Sequence, residues 1–439
     1  MREVLEEVLK KIVPLPHERR EIEEVVREIK KKIDARKPED AETMLVGSVA
    51  KDTYLRNSLD IDFFILFPPE YSKEEAGEIS ISIGKEILED WMIQYAEHPY
   101  IRGFYRGYRV DVVPCYKVKS IGEKLSAVDR TPFHTTYIKK HLREEMKNEV
   151  RLLKQFLKGI GCYGAEARVE GFSGYLTELL IIKFKTFLNV LEESKKWRGK
   201  VILSLNGMEK SNFREKFVFV DPVDPSRNVA AALSPEKLEE FMLAAKEFLE
   251  RPRITFFFPN PPPEIDEKVL RKKLSNFVGI CLKRPSLPDD ILYPQMKKAA
   301  TNMETLFREH DFKVLRKAWH SNNEIFIALQ LEKIHLDEIK THMGPPVKEE
   351  IHAEAFMQKW KSNPRTVEGP FVEQGRLWVK IRREYTDAME LLKDKIGEIN
   401  LGKNLNEMKE KMKICRGEEF IKFREYWNEF FCDKKSWER

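Results

Sequence analysis

No apolar run in the 439 residues approaches the roughly 20 that a membrane-spanning helix needs. The opening segment, MREVLEEVLKKIVPL, is amphipathic and charge-rich and has no apolar core of the signal-peptide kind, so the expectation is a protein that stays in the cytoplasm. Cysteine is scarce: Cys115, Cys162, Cys281, Cys415 and Cys432 are odd in number, widely spaced and never arranged CxxC. That pattern suits reduced thiols and argues against a disulfide framework or a zinc site. The nine histidines show no HExxH spacing. Glutamine is rare beside abundant Lys and Glu, a composition typical of heat-adapted proteins. Neither sign of charge dominates, since 78 basic residues stand against 73 acidic ones for a net +5. That balance argues for a nucleic-acid partner only if the basic residues segregate onto faces.

What is present is a long, charged, folded chain. Its length exceeds one hydrophobic core and implies two to four domains. Periodicity predicts helix over residues 1–36, interrupted by Pro14 and Pro16, with Leu5, Val8 and Leu9 and then Ile22, Val25, Val26 and Ile29 at helical spacing. From residue 43 the pattern turns to short strands: Thr43–Val46, then Gly47-Ser48 and a short helix, then the apolar run Leu59–Phe67 (LDIDFFILF). Helix is expected over most of Glu74–Ala96. Tyr100–Tyr105 and Tyr108–Tyr116 read as a hairpin turned at Arg106-Gly107. Helices follow at 136–160 and 173–197, with Phe172–Leu191 as a core helix, then a strand pair, the loop Asp221–Asn228 and a helix over Pro235–Arg251. The run PNPPPE (259–264) can continue neither helix nor sheet and marks a boundary. Beyond it come a helix at 293–309, strands at 312–319 and 324–333, and an alternating strand, Arg376–Arg383. There is no internal repeat and no low-complexity segment.

The chemistry concentrates in the strand-rich part. Asp60 and Asp62 share one face of a strand whose other face carries Ile61 and Phe63. Side by side in an apolar strand, two carboxylates repel and raise each other's pKa unless a cation pairs them. Mg²⁺ suits two adjacent hard oxygen ligands with substrate phosphates completing its shell. On its own, DxD also fits a solvated strand end. Upstream, Gly47-Ser48 follows a strand and opens a helix, where free N–H groups and a close backbone approach favour phosphate; Lys51, one turn on, adds a cation. Gly-Ser in that place also fits a plain N-cap. A third acid, Asp111, sits between Val110 and Val112 in the strand YRVDVVPCY. Strand–Gly-Ser–helix, then DxD on a strand, then a lone Asp on a later strand resembles the nucleotidyltransferase fold of DNA polymerase β and poly(A) polymerase.

The resemblance narrows further. VGSVAKDTYL (46–55), LDIDFFILFP (59–68), YAEHPYIRG (95–103), VDVVPCYKV (110–118), SAVDRTPFH (126–134), NEVRLLKQFLK (148–158), YGAEARVEGFSGYLTELLI (163–181) and FVDPVDPSRNVAAALS (219–234) resemble the archaeal-type, class I CCA-adding enzymes, closely to about residue 250 and more loosely after it. The resemblance implies an α+β multidomain chain. A polymerase-β-like nucleotidyltransferase head with a mixed sheet would span 1–140, a mostly helical central domain 141–257, and an α+β body and tail 258–439. It implies template-independent addition of C, C and A to tRNA 3′ ends from CTP and ATP, two Mg²⁺ ions per active site, the tRNA acceptor arm as partner, and a homodimer.

Position by position, the resemblance assigns Asp60, Asp62 and Asp111 to the metals, and Gly47, Ser48 and Lys51 to the triphosphate. It assigns His134, Lys154 and Tyr163 to the nucleotide and Arg227 to the base. The chain departs from the family's usual pattern in having Lys rather than Arg at 51, which gives up a bidentate fork, and Asp at 60, where Glu also occurs. From the residues alone, His134 fits a helix cap and Tyr163 a turn between Gly161 and Gly164. Arg227 fits an ion pair with Asp221 or Asp224. Lys147, Arg151, Lys154 and Lys158 share one helix face, either solvated or phosphate-binding; with the Lys380/Arg382 strand face it is a candidate surface for tRNA phosphates. Rival activities are poly(A) or poly(U) polymerase, oligoadenylate synthase, and an inactive RNA-binding scaffold.

Overall fold

Proline sets the first boundary. Val8 and Ile12 are the buried residues of α1 (Arg2–Ile12), and Pro16 opens α2 (Pro16–Asp34) at a position where its missing N–H costs nothing. The Glu18 carboxylate caps that start by accepting from the Leu15 N–H at 2.7 Å. The computed structural model describes residues 1–95, 99–207 and 212–439, with the backbone alone at Tyr95. Part of the stretch 95–103 quoted above, and Ala96 at the end of the expected helix, therefore lie outside the described residues.

Next come β1 (Glu42–Val46), α3 (Gly47–Ala50), β2 (Asp60–Phe67), α4 (Lys73–Ile87), β3 (Glu89–Tyr95), β4 (Pro99–Tyr105) and β5 (Tyr108–Tyr116). They build one sheet in the order β1-β2-β5-β4-β3, in which only the β2–β5 pairing is parallel. Ile61, Phe63, Ile65 and Phe67 enter the core beneath the sheet with Val25, Ile29 and Ile33 of α2 and Ile83 and Ile87 of α4. Toward the end of β2 the opposite face is also covered, by Phe64 and Leu66 against Val46 and Cys115. Its first half is left for Asp60 and Asp62. The helix expected over Glu74–Ala96 stops at Ile87, and the chain turns back as a strand. Trp91 and Ile93 favour a pleated strand, and hydrogen bonding to β4 overrides the helical pattern.

After α5 (Arg130–His141) the helix expected over 136–160 breaks at residues 142–146, and α6 runs Lys147–Gly159. The apolar stretch Phe172–Leu191 is likewise two helices, α7 (Gly174–Phe184) and α8 (Phe187–Ser194). Lys185 has φ +75° between them, and the Thr186 side chain caps α8 through the Asn189 N–H. A short parallel pair, β6 (Val201–Leu203) with β7 (Phe217–Phe219), precedes α9 (Pro235–Glu250). An aromatic cluster around Phe156, with Phe187, Phe241, Phe248, Phe256 and Phe257, centres this second core, which also takes in α1.

The chain forms two compact units, Met1–Pro261 with Asp433–Arg439, and Pro262–Cys432. The prolines at 259–263 thus fall where one unit gives way to the other. The last seven residues belong to the first unit. Trp437 is fully buried there, lies parallel to Phe256 at 6.0 Å and donates through its indole N–H to Glu247 at 2.8 Å. The second unit has a four-stranded sheet (277–283, 314–321, 324–331 and 413–416) backed by the helix Asp289–Glu309. It also has a three-stranded sheet (339–346, 366–373 and 376–382) packed on the helix Glu350–Lys361.

The basic face of α6 is turned inward at its centre rather than solvated. Arg151 and Lys154 are 1% and 3% exposed. Arg151 donates to the Asp52 carbonyl and carboxylate at 2.7 and 2.6 Å, the Tyr54 carbonyl at 3.0 Å and Asn148 at 3.0 Å. Residues 51–58 have no ladder of their own beyond the bridge Leu55–Ser58, so their carbonyls need donors from elsewhere. The candidate tRNA surface on this helix is therefore corrected: its central cations hold the loop before β2. Arg151→Met should lower unfolding stability by about 3–5 kcal/mol, as expected when one partner of a buried charged network is removed. Chemical denaturation measures this, and a loss under about 1 kcal/mol would refute the structural role.

Candidate active site

Two rows of side chains cross the open face of the sheet. In the parallel β2–β5 register Asp62 aligns with Asp111 and Asp60 with Arg109. In the antiparallel β5–β4 register Asp111 stands opposite Arg102 and Arg109 opposite Phe104. Aligned residues share a face, so the rows read Asp60–Arg109–Phe104 and Asp62–Asp111–Arg102. Ile61 and Phe63, both fully buried, point the other way.

The arginines hold two of the three acids. Arg102 forks onto Asp111 with two hydrogen bonds of 2.7 Å, and Arg109 donates to Asp60 from Nε at 2.6 Å and also from Nη2. The Asp62 carboxylate has no hydrogen-bond partner among the described residues. Burial first, then repulsion from Asp111 and Asp60, push its carboxyl up to about 7. Gly47, with φ +71°, lies against it: a Cβ there would sit 2.0 Å from Asp62 Oδ2. Only glycine lets the β1–α3 turn come so close. The helix that follows is a single turn of four residues, so its dipole is small and most of the positive charge must come from side chains.

The donor set fits a hard cation. Three carboxylates on one sheet face, one of them uncompensated, are oxygen ligands of the kind Mg²⁺ takes. Among the described residues no group of three or more His, Cys, Asp or Glu is placed to hold a metal ion; Arg102 and Arg109 occupy Asp111 and Asp60 instead.

Behind the acids a buried charge cluster joins loop and helices. Glu178 of α7, fully buried, accepts from Lys51 Nζ at 2.6 Å and Thr53 Oγ1 at 2.7 Å, with Lys154 Nζ at 3.5 Å. Burial pushes the Lys154 ammonium down to about 8. Burial works against the Glu178 carboxylate too, but Lys51 and Lys154 outweigh it and keep the carboxyl below its ordinary range. Two cations and one anion leave a surplus positive charge. Ser48, Asp60, Asp62, Lys154 and Tyr163 line one cleft of about 980 Å³.

A second network forms around the fully buried Asp221. It takes His134 Nε2 at 2.9 Å, Arg227 Nη1 at 3.0 Å and the Tyr175 hydroxyl at 3.2 Å. The His134 and Tyr175 rings stack at 4.0 Å. Asp224 is held by Lys124 at 2.8 Å and Arg130 at 2.9 Å. Tyr175 and Glu178 are three residues apart on α7 and so share a helix face, which ties this network to the lysine cluster.

Family profiles match along the chain: a nucleotidyltransferase domain at residues 26–143, a tRNA nucleotidyltransferase second domain at 148–258, and a CCA-adding enzyme C-terminal domain at 275–417. A CCA-adding enzyme of Archaeoglobus fulgidus is 37% identical over 428 residues, 96% of each chain. One from Methanosarcina acetivorans is 37% identical over 93% of this chain and 94% of its own, and one from Halobacterium salinarum is 35% identical over 91% and 90%. The chain belongs to the CCA-adding enzymes.

In this CCA-adding enzyme the residues singled out from sequence fall into two groups. Gly47, Ser48, Asp60, Asp62, Asp111, Lys51, Lys154 and Tyr163 gather at or directly behind the cleft. His134 and Arg227 meet instead on Asp221. Sequence reasoning missed Glu178, Thr53, Tyr175, Arg102 and Arg109. Glu178 had a readable signal, as the one acid in the apolar run Leu176–Ile182; the arginines had another, alternating with Asp111 along the hairpin.

Asp62 predicts a pH effect. A carboxyl raised from 3.8 to about 7 binds its proton more tightly in the folded state, so its contribution to stability is full below pH ~4 and is lost as pH rises through ~7. In EDTA, the thermal midpoint of Asp62→Asn should gain on that of the unsubstituted protein across this window. Parallel midpoints from pH 5 to 8 would mean that Asp62 ionises normally.

Proposed function

We propose that Asp60, Asp62 and Asp111 are the metal-binding carboxylates with which this CCA-adding enzyme attaches C, C and A to the 3′ end of tRNA from CTP and ATP, without a template and with release of pyrophosphate. The observation that carries this reading is the alignment of Asp62 with Asp111 on neighbouring strands, with Gly47 against the Asp62 carboxylate. Asp60, Asp62 and Asp111 would hold two Mg²⁺ ions, which would supply Lewis-acid stabilisation of the attacking and leaving oxygens. The chain's own work is positioning and electrostatics. Gly47 lets the backbone approach the triphosphate, Ser48 donates to it, and Lys51 and Lys154 neutralise it from behind. Glu178 holds both ammoniums in place, and Tyr163 walls the cleft beside them.

The base is chosen at Asp221. Cytosine and adenine both present an exocyclic amino donor beside a ring-nitrogen acceptor, whereas uracil and guanine present a carbonyl beside a ring N–H. Arg227, held by Asp221 and partly exposed, donates to the ring nitrogen, and His134 contacts the nucleotide from the same carboxylate. Wrong bases leave buried groups unpaired, at about 1–3 kcal/mol each. Residues 1–140 act as the nucleotidyltransferase head and 141–257 as the nucleotide-contacting centre. Residues 258–439 are the body and tail that take the acceptor arm, with Lys380 and Arg382 against its phosphates. The working form is a cytoplasmic homodimer.

The deciding experiment incubates the protein with Mg²⁺, each nucleotide and tRNA lacking CCA. The product should stop after C-C-A. Asp60→Asn, Asp62→Asn and Asp111→Asn should each abolish addition yet keep tRNA binding within about threefold. An open-ended homopolymer, or near-normal turnover in any of the three, would overturn the assignment. Arg227→Ala should lower use of CTP and ATP and relax discrimination against UTP while Mg²⁺ dependence stays unchanged. Slower turnover with full selectivity would move base choice elsewhere.

A further inference from the structure

The sheet face that carries the acids continues past them. Beyond β5 it crosses β4 and β3, where Phe104 stands opposite Arg109 and Met92 opposite Arg102. Phe104 is 41% exposed and Met92 53%. Core packing does not call for these side chains, since the space beneath the sheet is filled from the other face by Ile101, Val110 and Val112, all fully buried. Phe104 also borders the cleft that contains Asp60, Asp62 and Arg109. A large apolar ring is thus held in water at the edge of a charged cleft, one strand from Asp111 and diagonal to it. Diagonal neighbours on adjacent strands lie about 7–8 Å apart.

What stacks on such a ring must be flat, and the carboxylate one strand away is where its reacting group must reach. An aromatic ring beside guanidinium groups is the platform on which single-stranded nucleic acid stacks, whatever its base. The acceptor strand, whose terminal hydroxyl reacts at the carboxylates, must lay its last nucleotide on a surface continuous with them, and this face is that surface.

We propose that Phe104, flanked by Met92, is the stacking platform for the 3′-terminal base of the acceptor RNA, a positioning residue that aims the terminal hydroxyl at the carboxylates. Arg109 stands between Asp60 and Phe104, and Arg102 between Asp111 and Met92, so the last phosphates pass over guanidinium groups that the carboxylates hold in place. The proposal rests on the assignment of Asp60, Asp62 and Asp111 above. Stacking is indifferent to base identity, which suits a site that must hold a different terminal nucleotide after each addition.

The test places 2-aminopurine at the 3′ terminus of a tRNA lacking CCA and follows its fluorescence on binding. The unsubstituted protein and Phe104→Tyr should quench it, and Phe104→Ala should not. Phe104→Ala should lower kcat/KM for tRNA about 5- to 100-fold, the range that loss of one aromatic–base stack produces. KM for CTP and ATP should change less than twofold, and Phe104→Tyr should restore most of the loss. Thermal midpoints of the variants should match, since the ring is exposed. Equal quenching in Phe104→Ala would overturn the proposal. So would a rise in KM for CTP and ATP in place of tRNA, which would put the incoming nucleotide on the ring. Failure of the carboxylate assignment looks different, because Asp62→Asn would then keep its turnover whatever the fluorescence does.

Discussion

The parallel alignment of β2 with β5 forces Asp62 and Asp111 into neighbouring positions on a half-buried sheet face. Much of the surrounding architecture answers that crowding. Arg102 and Arg109 arrive from the hairpin to occupy two carboxylates, and the third stays uncompensated against Gly47. A structural ion pair would have been completed; here one acid is left over. The energetic tension is local and is carried by strands whose other face is firmly packed. A rigid sheet can keep like charges close because its strands cannot move apart without giving up their core.

The loop between α3 and β2 is the second dependency. Its own backbone hydrogen bonds are local, from Asp52 to Val49, Thr53 to Ser48 and Ser58 to Leu55, and cations from α6 and an acid from α7 hold the rest. The lysines behind the cleft are thus positioned by the fold of the central helices. The same side chains line or border the cleft and hold the loop. This is also why α6 defeats a simple helical-wheel reading: the centre of its basic face is turned inward because an irregular loop needs donors, something no local periodicity reveals.

Elements with strong local signals were legible in the sequence. Alternation in LDIDFFILF placed Asp60 and Asp62 on one face, the Arg106-Gly107 turn placed the hairpin, and the prolines at 259–263 placed the change of unit. What was not legible depended on distant partners. Residues 89–95 became a strand because β4 offered an edge. Phe172–Leu191 split because Thr186 caps a new helix start. The Asp221 network joins residues 87 positions apart in the case of His134. Spacing shows which residues carry chemistry and seldom which of them meet, so the resemblance to a family supplied the roles and the coordinates supplied the partners.

The seating of Trp437 beside Phe256 bears on how the first unit holds together. The chain leaves that unit at Pro261 and re-enters it at Asp433, so the heptapeptide 433–439 acts as an intramolecular ligand for a socket built some 180 residues earlier in the chain. Its occupancy is governed by an effective concentration set by the intervening polypeptide. A single backbone cut between Cys432 and Asp433 would remove no contact, yet it would turn completion of the aromatic core from a unimolecular event into a bimolecular one, dependent on how much peptide is in solution.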